Sequence, residues 1–100
     1  MRQPAPSAAD LALLDPDGRF RLRLARDLVH LRELTAGTPS ATQMAELCRL
    51  VHGLAGAAGT FGFPEIGDAA IALDDALIEG TASADVRPLI TTLLAALAAI

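Results

Sequence analysis

Between residues 44 and 61 the apolar positions recur three and four apart, as Met44, Leu47, Val51, Leu54, Ala58 and Phe61. At roughly 100° per residue they fall on one stripe of an α-helix, and a stripe of that width has to be buried against other elements. The side facing away from it is unusual. His52 lies about 130° from the stripe centre, so its imidazole points to solvent. Around it stand Ala45, Cys48, Ala55, Gly56 and Gly59, all small, and Arg49 is the one long side chain. A solvated face ordinarily carries Glu and Lys. Glycine in a helix interior costs about 1 kcal/mol relative to alanine, yet Gly53, Gly56 and Gly59 follow one another here at intervals of three. Helical side chains lean toward the N-terminus, so large residues at 55 and 56 would arch over the imidazole. The sequence has cleared the approach to one exposed histidine, which suits another macromolecule bringing its own reactive group close to that ring.

The other elements follow from the same periodicity. Residues 1–6 read as a disordered lead, and Ser7 caps a short helix through Ala8, Asp10 and Leu11 to Leu14. Asp15-Pro16-Asp17-Gly18 is a turn. Phe20, Leu24, Leu28, Leu31 and Leu34 make a first long helix from residue 19 to about 34, closed by Gly37 and Pro39. Arg19, Arg23, Arg26 and Arg32 on its back read as a solvated face balanced by Asp27 and Glu33 in preference to a docking surface, and His30 as a surface or boundary histidine. The helix carrying His52 starts at a Ser40 or Thr42 cap, runs to about Phe61 and is broken by Gly62-Phe63-Pro64. Pro64 opens a third helix with Glu65 at the positive end of its dipole, and Ile66, Ala70, Leu73 and Leu77 form its stripe until Gly80. Its outer residues Asp68, Asp74, Asp75 and Glu79 are too scattered by helical spacing for a metal cluster and read as a solvated face.

A fourth helix begins near Ser83 or Asp85, with Asp85 the preferred cap because it leaves Pro88 in the first turn. Val86, Leu89, Ile90, Leu93, Leu94, Leu97 and Ile100 form its apolar face, and no charge follows Arg87. The far side, Thr91, Thr92, Ala95, Ala98 and Ala99, is either an exposed alanine-rich back or a contact with another chain or segment, which leaves the oligomeric state open. Short connections make the whole, residues 1–100, one all-α domain: an up-and-down antiparallel four-helix bundle with a short extra N-terminal helix.

Composition narrows the function. The chain is 52% apolar with three Phe and no Trp or Tyr, the palette of a helical bundle. A net charge of −4 argues against a nucleic-acid binder. A single cysteine fits a reducing cytoplasm, there is no apolar leader segment, and the longest apolar run, within residues 89–100, is shorter than the roughly 20 residues that span a bilayer. The expectation is a soluble cytoplasmic protein without a membrane partner. Cys48 and His52, four apart, are two ligands without a second pair, and as nucleophile and base they lack an orienting carboxylate. The glycines from Gly53 to Gly62 lie inside a helical pattern and form no nucleotide loop, so the chain is not a kinase.

The run His52, Gly53, Leu54, Ala55, Gly56, Ala57, Ala58, Gly59, Thr60, Phe61, Gly62, continued by Phe63-Pro64-Glu65-Ile66, resembles the histidine-containing phosphotransfer (HPt) domains of bacterial multistep phosphorelays. That motif covers about a fifth of the chain, and the helical layout extends the likeness over most of the rest. The resemblance implies a phosphorelay intermediate, not an enzyme, with His52 as phosphoacceptor. It would take a phosphoryl group from a receiver-domain phosphoaspartate and pass it to another receiver. Partners would be response-regulator receiver domains or a hybrid histidine kinase; this chain would carry no cofactor, and Mg²⁺ would sit on the receiver. Arg49, Cys48, Ala55, Gly56 and Gly59 would form the supporting and docking surface. One position departs from the family pattern, because the lysine usual three residues after the histidine is Ala55. Arg49, on the same outer face, is the candidate substitute for its charge. The alternative is a helical module that binds a receiver or kinase without accepting phosphate.

Overall fold

The structure, a computed structural model, describes residues 13–80 and 83–100. Among the described residues four helices are complete, α1 (Arg19–Thr35), α2 (Ala41–Ala57), α3 (Pro64–Ile78) and α4 (Ser83–Ala98), and there is no strand. Helix α1 packs on α2, α2 on α3, α3 on α4 and α4 back on α1, with no packing across either diagonal. The core sits inside that ring. Its fully buried centre is Leu24, Leu31, Leu47, Val51, Leu54, Leu73 and Leu93, drawn from all four helices. Two residues assigned to the stripes lie outside it: Met44, in the first turn of α2, is 38% exposed, and Ile100, beyond the end of α4, is 56% exposed. Of the short N-terminal helix, Leu13 and Leu14 are helical, and the rest falls outside the described residues.

The helix ends explain why the chain turns where it does. The Asp15 carboxylate is buried and accepts the Phe20 and Arg21 N–H groups, both at 3.1 Å, so it satisfies donors at the start of α1 that have no partner within the helix. Gly18, at φ +70°, makes the turn that lets Asp15 fold back. Burial pushes the Asp15 carboxyl up, but the two backbone bonds and the Arg21 guanidinium outweigh it and hold the group below its ordinary value. A carboxyl lowered on folding contributes stability above its unfolded pKa and loses it as pH falls through the folded value. Asp15→Ala is therefore expected to lower the melting temperature at neutral pH, and the gap to the parent protein should narrow as pH falls below the ordinary carboxyl value of 3.8, as thermal melts across pH would show.

At the other end of α1 the expected glycine cap is absent. Gly37 has no left-handed backbone, and the helix closes through Ala36 in ordinary helical geometry. Helix α2 starts with a capping box: Gln43 N–H donates to Ser40 Oγ at 3.2 Å and Ser40 N–H to the Gln43 side chain at 2.9 Å. Its regular part stops at Ala57, but a turn continues to Phe61 and closes as a Schellman motif. Phe63 N–H bonds the Ala58 carbonyl at 2.8 Å and Gly62 N–H the Gly59 carbonyl at 3.2 Å, with Gly62 at φ +93°. The three phenylalanines lock this corner onto α1: Phe20 stacks on Phe61 at 4.4 Å and lies 5.9 Å from Phe63.

Helix α3 matches its expected stripe, with Ile66, Ala70 and Leu73 buried, and Gly80 at φ +70° ends it. Helix α4 begins at Ser83 and not at Asp85, which puts Asp85 inside the first turn and Pro88 within the helix. The back of α4 is exposed at Thr91, Thr92, Ala95, Ala98 and Ala99, and the two threonine hydroxyls fold back onto the Arg87 and Pro88 carbonyls. No helix among the described residues is long and apolar enough to cross a membrane.

Candidate functional site

The site is set by how closely α2 and α3 approach. A Cβ on Gly67 would stand 3.2 Å from the Gly59 backbone nitrogen, so glycine at 67 lets the two helices come nearly backbone to backbone. Seven residues back along α2 from Gly59 is His52, and seven residues on along α3 from Gly67 is Asp74. Seven residues cover about 10.5 Å of helix on each side of the glycine contact, and at that distance the two side chains meet. His52 Nδ1 lies 3.0 Å from Asp74 Oδ2.

That contact corrects the reading of the acidic face. Asp74 is not a solvated residue, since only 13% of its side chain is exposed, whereas the His52 side chain is 76% exposed. The carboxylate is tucked between helices and the imidazole stands out from them. A carboxylate on Nδ1 favours the tautomer that carries its proton there, which leaves the Nε2 lone pair free and directed outward. The orienting carboxylate that the sequence lacked is thus supplied by a helix 22 residues away.

The small residues divide around the ring. On the α3 side, Cys48 and Ala55 are half-buried, and Ala55 packs against the core, so neither lies on the fully exposed face assigned to it. Cys48 makes no hydrogen bond to the imidazole. Gly56 and Gly59 are exposed, and a Cβ built on either meets nothing within 4 Å. On the α1 side, Arg49 is exposed and lines a shallow groove with Arg23, Asp27, His30, Glu46 and Leu50. Arg49 has no ion-pair partner among the described residues. His30 is the boundary histidine expected, half exposed and 3.3 Å from Glu46. No three His, Cys, Asp or Glu side chains among the described residues are grouped as metal ligands would be.

Two residues in this neighbourhood, Asp74 and Arg23, read from the sequence as parts of solvated faces, and both turn toward a neighbouring helix. Asp74 stands four residues after Ala70 and three before Leu77, so it interrupts the edge of the α3 stripe, and that interruption was the available signal. Arg23 was placed on the solvated back of α1, but its side chain, 45% exposed, turns toward α2.

A protruding histidine, held by a carboxylate at one nitrogen and cleared at the other, sits on a bundle of four helices, and a family model for the Hpt domain matches residues 18–100. The chain belongs to the Hpt domain family. Hpt domains are phosphotransfer modules of phosphorelays, not kinases, and they interact there with receiver domains and kinases. Comparison with curated proteins and with solved structures gave no match.

Proposed function

We propose that this Hpt domain is a histidine phosphotransfer protein in which His52 accepts a phosphoryl group from a receiver-domain phosphoaspartate and passes it to another receiver. The observation that carries this reading is the imidazole, 76% exposed, with Asp74 at 3.0 Å from Nδ1. In the forward step the Nε2 lone pair attacks phosphorus, the bond from phosphorus to the aspartyl oxygen breaks, and the receiver carboxylate leaves with the electron pair. No proton has to move. The product is an Nε2-phosphoimidazolium whose positive charge is shared with the Nδ1–H, where Asp74 offsets it. In the return step an aspartate of the next receiver attacks the same phosphorus and the neutral imidazole is released.

The receiver would bring Mg²⁺, the acidic residues that hold it and the reacting aspartate; this chain would bring the nucleophile and a docking face that includes Arg49, Cys48, Ala55, Gly56 and Gly59. Up-and-down antiparallel topology, a cytoplasmic location and a receiver or hybrid kinase as partner belong to the same proposal. The ring of helix contacts and the short connections support the first of these.

The test is incubation with a phosphorylated receiver, followed by assay for acid-labile, alkali-stable phosphate on this chain. Uptake supports transfer. Stable binding without uptake supports the interaction module that Ala55, in place of the usual lysine, keeps open. Within the transfer reading, Asp74→Asn keeps the shape of the side chain and removes its charge. The asparagine oxygen can still accept from Nδ1–H, so melting should change little, whereas the charge that offsets the phosphoimidazolium is lost and single-turnover uptake should slow by about tenfold or more.

A further inference from the structure

Beside His52 the chain carries glycine where almost any residue would extend the helix, and the structure shows what occupies the space. A Cβ on Gly53 would lie 2.9 Å from Arg23 Nη2. The guanidinium therefore rests against the α2 backbone at the residue next to the phosphoacceptor. It is positioned from α1 on two sides: Arg23 Cζ lies 5.6 Å from the Phe20 ring centroid, and Nε lies 3.5 Å from Asp27 Oδ2. Phe20 is itself fixed by stacking on Phe61. Helical geometry puts Gly53 about 100° round from His52, on the flank away from the half-buried Cys48 and Ala55. Asp74 thus contacts the imidazole on one flank, and Arg23 rests on the α2 backbone at the residue next to it on the other.

We propose that Arg23, reaching across Gly53, is the cation that steadies the phosphoryl group on His52, in place of the lysine absent at position 55. The inference rests on the phosphotransfer reading above and assigns the missing charge to α1, ahead of Arg49. The phosphohistidine carries a dianionic phosphoryl group on an imidazolium. As the N–P bond breaks toward a loose, metaphosphate-like transition state, one negative charge moves from the phosphoryl oxygens to neutralise the ring. A nearby cation favours the dianionic ground state over that transition state and so lengthens the life of the phosphohistidine. Arg23 is held in place before phosphate arrives, by groups that do not themselves touch it, so little side-chain ordering remains at the moment of transfer.

The experiment phosphorylates the protein with phosphoramidate, which needs no receiver, removes the donor and follows decay of phosphohistidine by ³¹P NMR. Arg23→Gln should shorten the half-life by about three- to fivefold, the range of an exposed ion pair. Arg23→Lys should restore most of the loss, and Gly53→Ala, which displaces the guanidinium, should act in the same direction as Arg23→Gln without lowering the melting temperature. The difference between parent and Arg23→Gln should shrink at about 1 M salt, where the screening length falls to about 3 Å. A parent protein that is phosphorylated and an Arg23→Gln variant with an unchanged half-life overturn this proposal alone. So does a shortened half-life that ignores salt and is not recovered by lysine, since a purely packing role gives that pattern. A parent protein that takes no phosphate from phosphoramidate or from a phosphorylated receiver overturns the phosphotransfer reading itself.

Discussion

His52→Gln is expected to abolish phosphate uptake while leaving the bundle folded. The side chain is 76% exposed, and its neighbours Val51 and Leu54 hold the helix in the core without it. What the substitution disturbs is Asp74, a largely covered carboxylate that loses its imidazole partner. The glutamine amide can still donate, so the cost should stay within about 1 kcal/mol. For a domain of this size that corresponds to a fall in melting temperature of about 4–8 °C at most. Labelling measured against a phosphorylated receiver should drop to background. Persistent acid-labile phosphate on the variant would reject His52 and direct attention to His30, the other histidine, which faces Glu46 in the groove between α1 and α2.

The helices, their stripes and the protruding histidine were legible because each depends on residues three and four apart, which a sequence displays directly. The break at Gly62-Phe63-Pro64 was legible for a related reason, since a glycine followed by Phe63-Pro64 leaves few ways for a helix to continue, although the Schellman hydrogen bonds that close it were not. Asp74 and Arg23 were not. Their roles depend on which face of one helix meets which face of another, and that pairing is set by the contact of Gly59 with Gly67 and by the phenylalanine corner. Both acids that matter sit within otherwise apolar stripes: Asp74 between Ala70 and Leu77, Asp27 between Leu24 and Leu31. Asp27 repeats the lesson. Burial pushes its carboxyl up while Arg23 and His30 pull it back, a sign that it faces inward where the sequence suggested solvent. A charge in a core stripe has to find a partner, and the partner can lie on the same helix, as Arg23 does for Asp27, or on a neighbouring one, as His52 does for Asp74; sequence spacing alone does not say which.

Gly56→Leu should move stability and transfer in opposite directions. Gly56 stands one turn beyond His52 on the same exposed flank, and a Cβ built there meets nothing within 4 Å. In the free protein the substitution replaces glycine by a strong helix former without a clash, so stability should hold or rise by up to about 1 kcal/mol. In the complex the added side chain leans toward the N-terminus of α2, across the approach to the imidazole. Phosphoryl transfer needs the reacting atoms within about 3.5 Å, and a displacement of an ångström can cost on the order of a hundredfold in rate. Transfer from a phosphorylated receiver should fall by about that factor, while the much smaller donor phosphoramidate should still label His52 at a rate closer to that of the parent. Gly67 gives the contrast. Its Cβ would press on the Gly59 backbone at 3.2 Å, so Gly67→Ala should lower the melting temperature instead. A Gly56→Leu protein that melts lower yet accepts phosphate from the receiver at the parent rate would show that Gly56 serves helix packing and that the cleared surface is not where the partner docks.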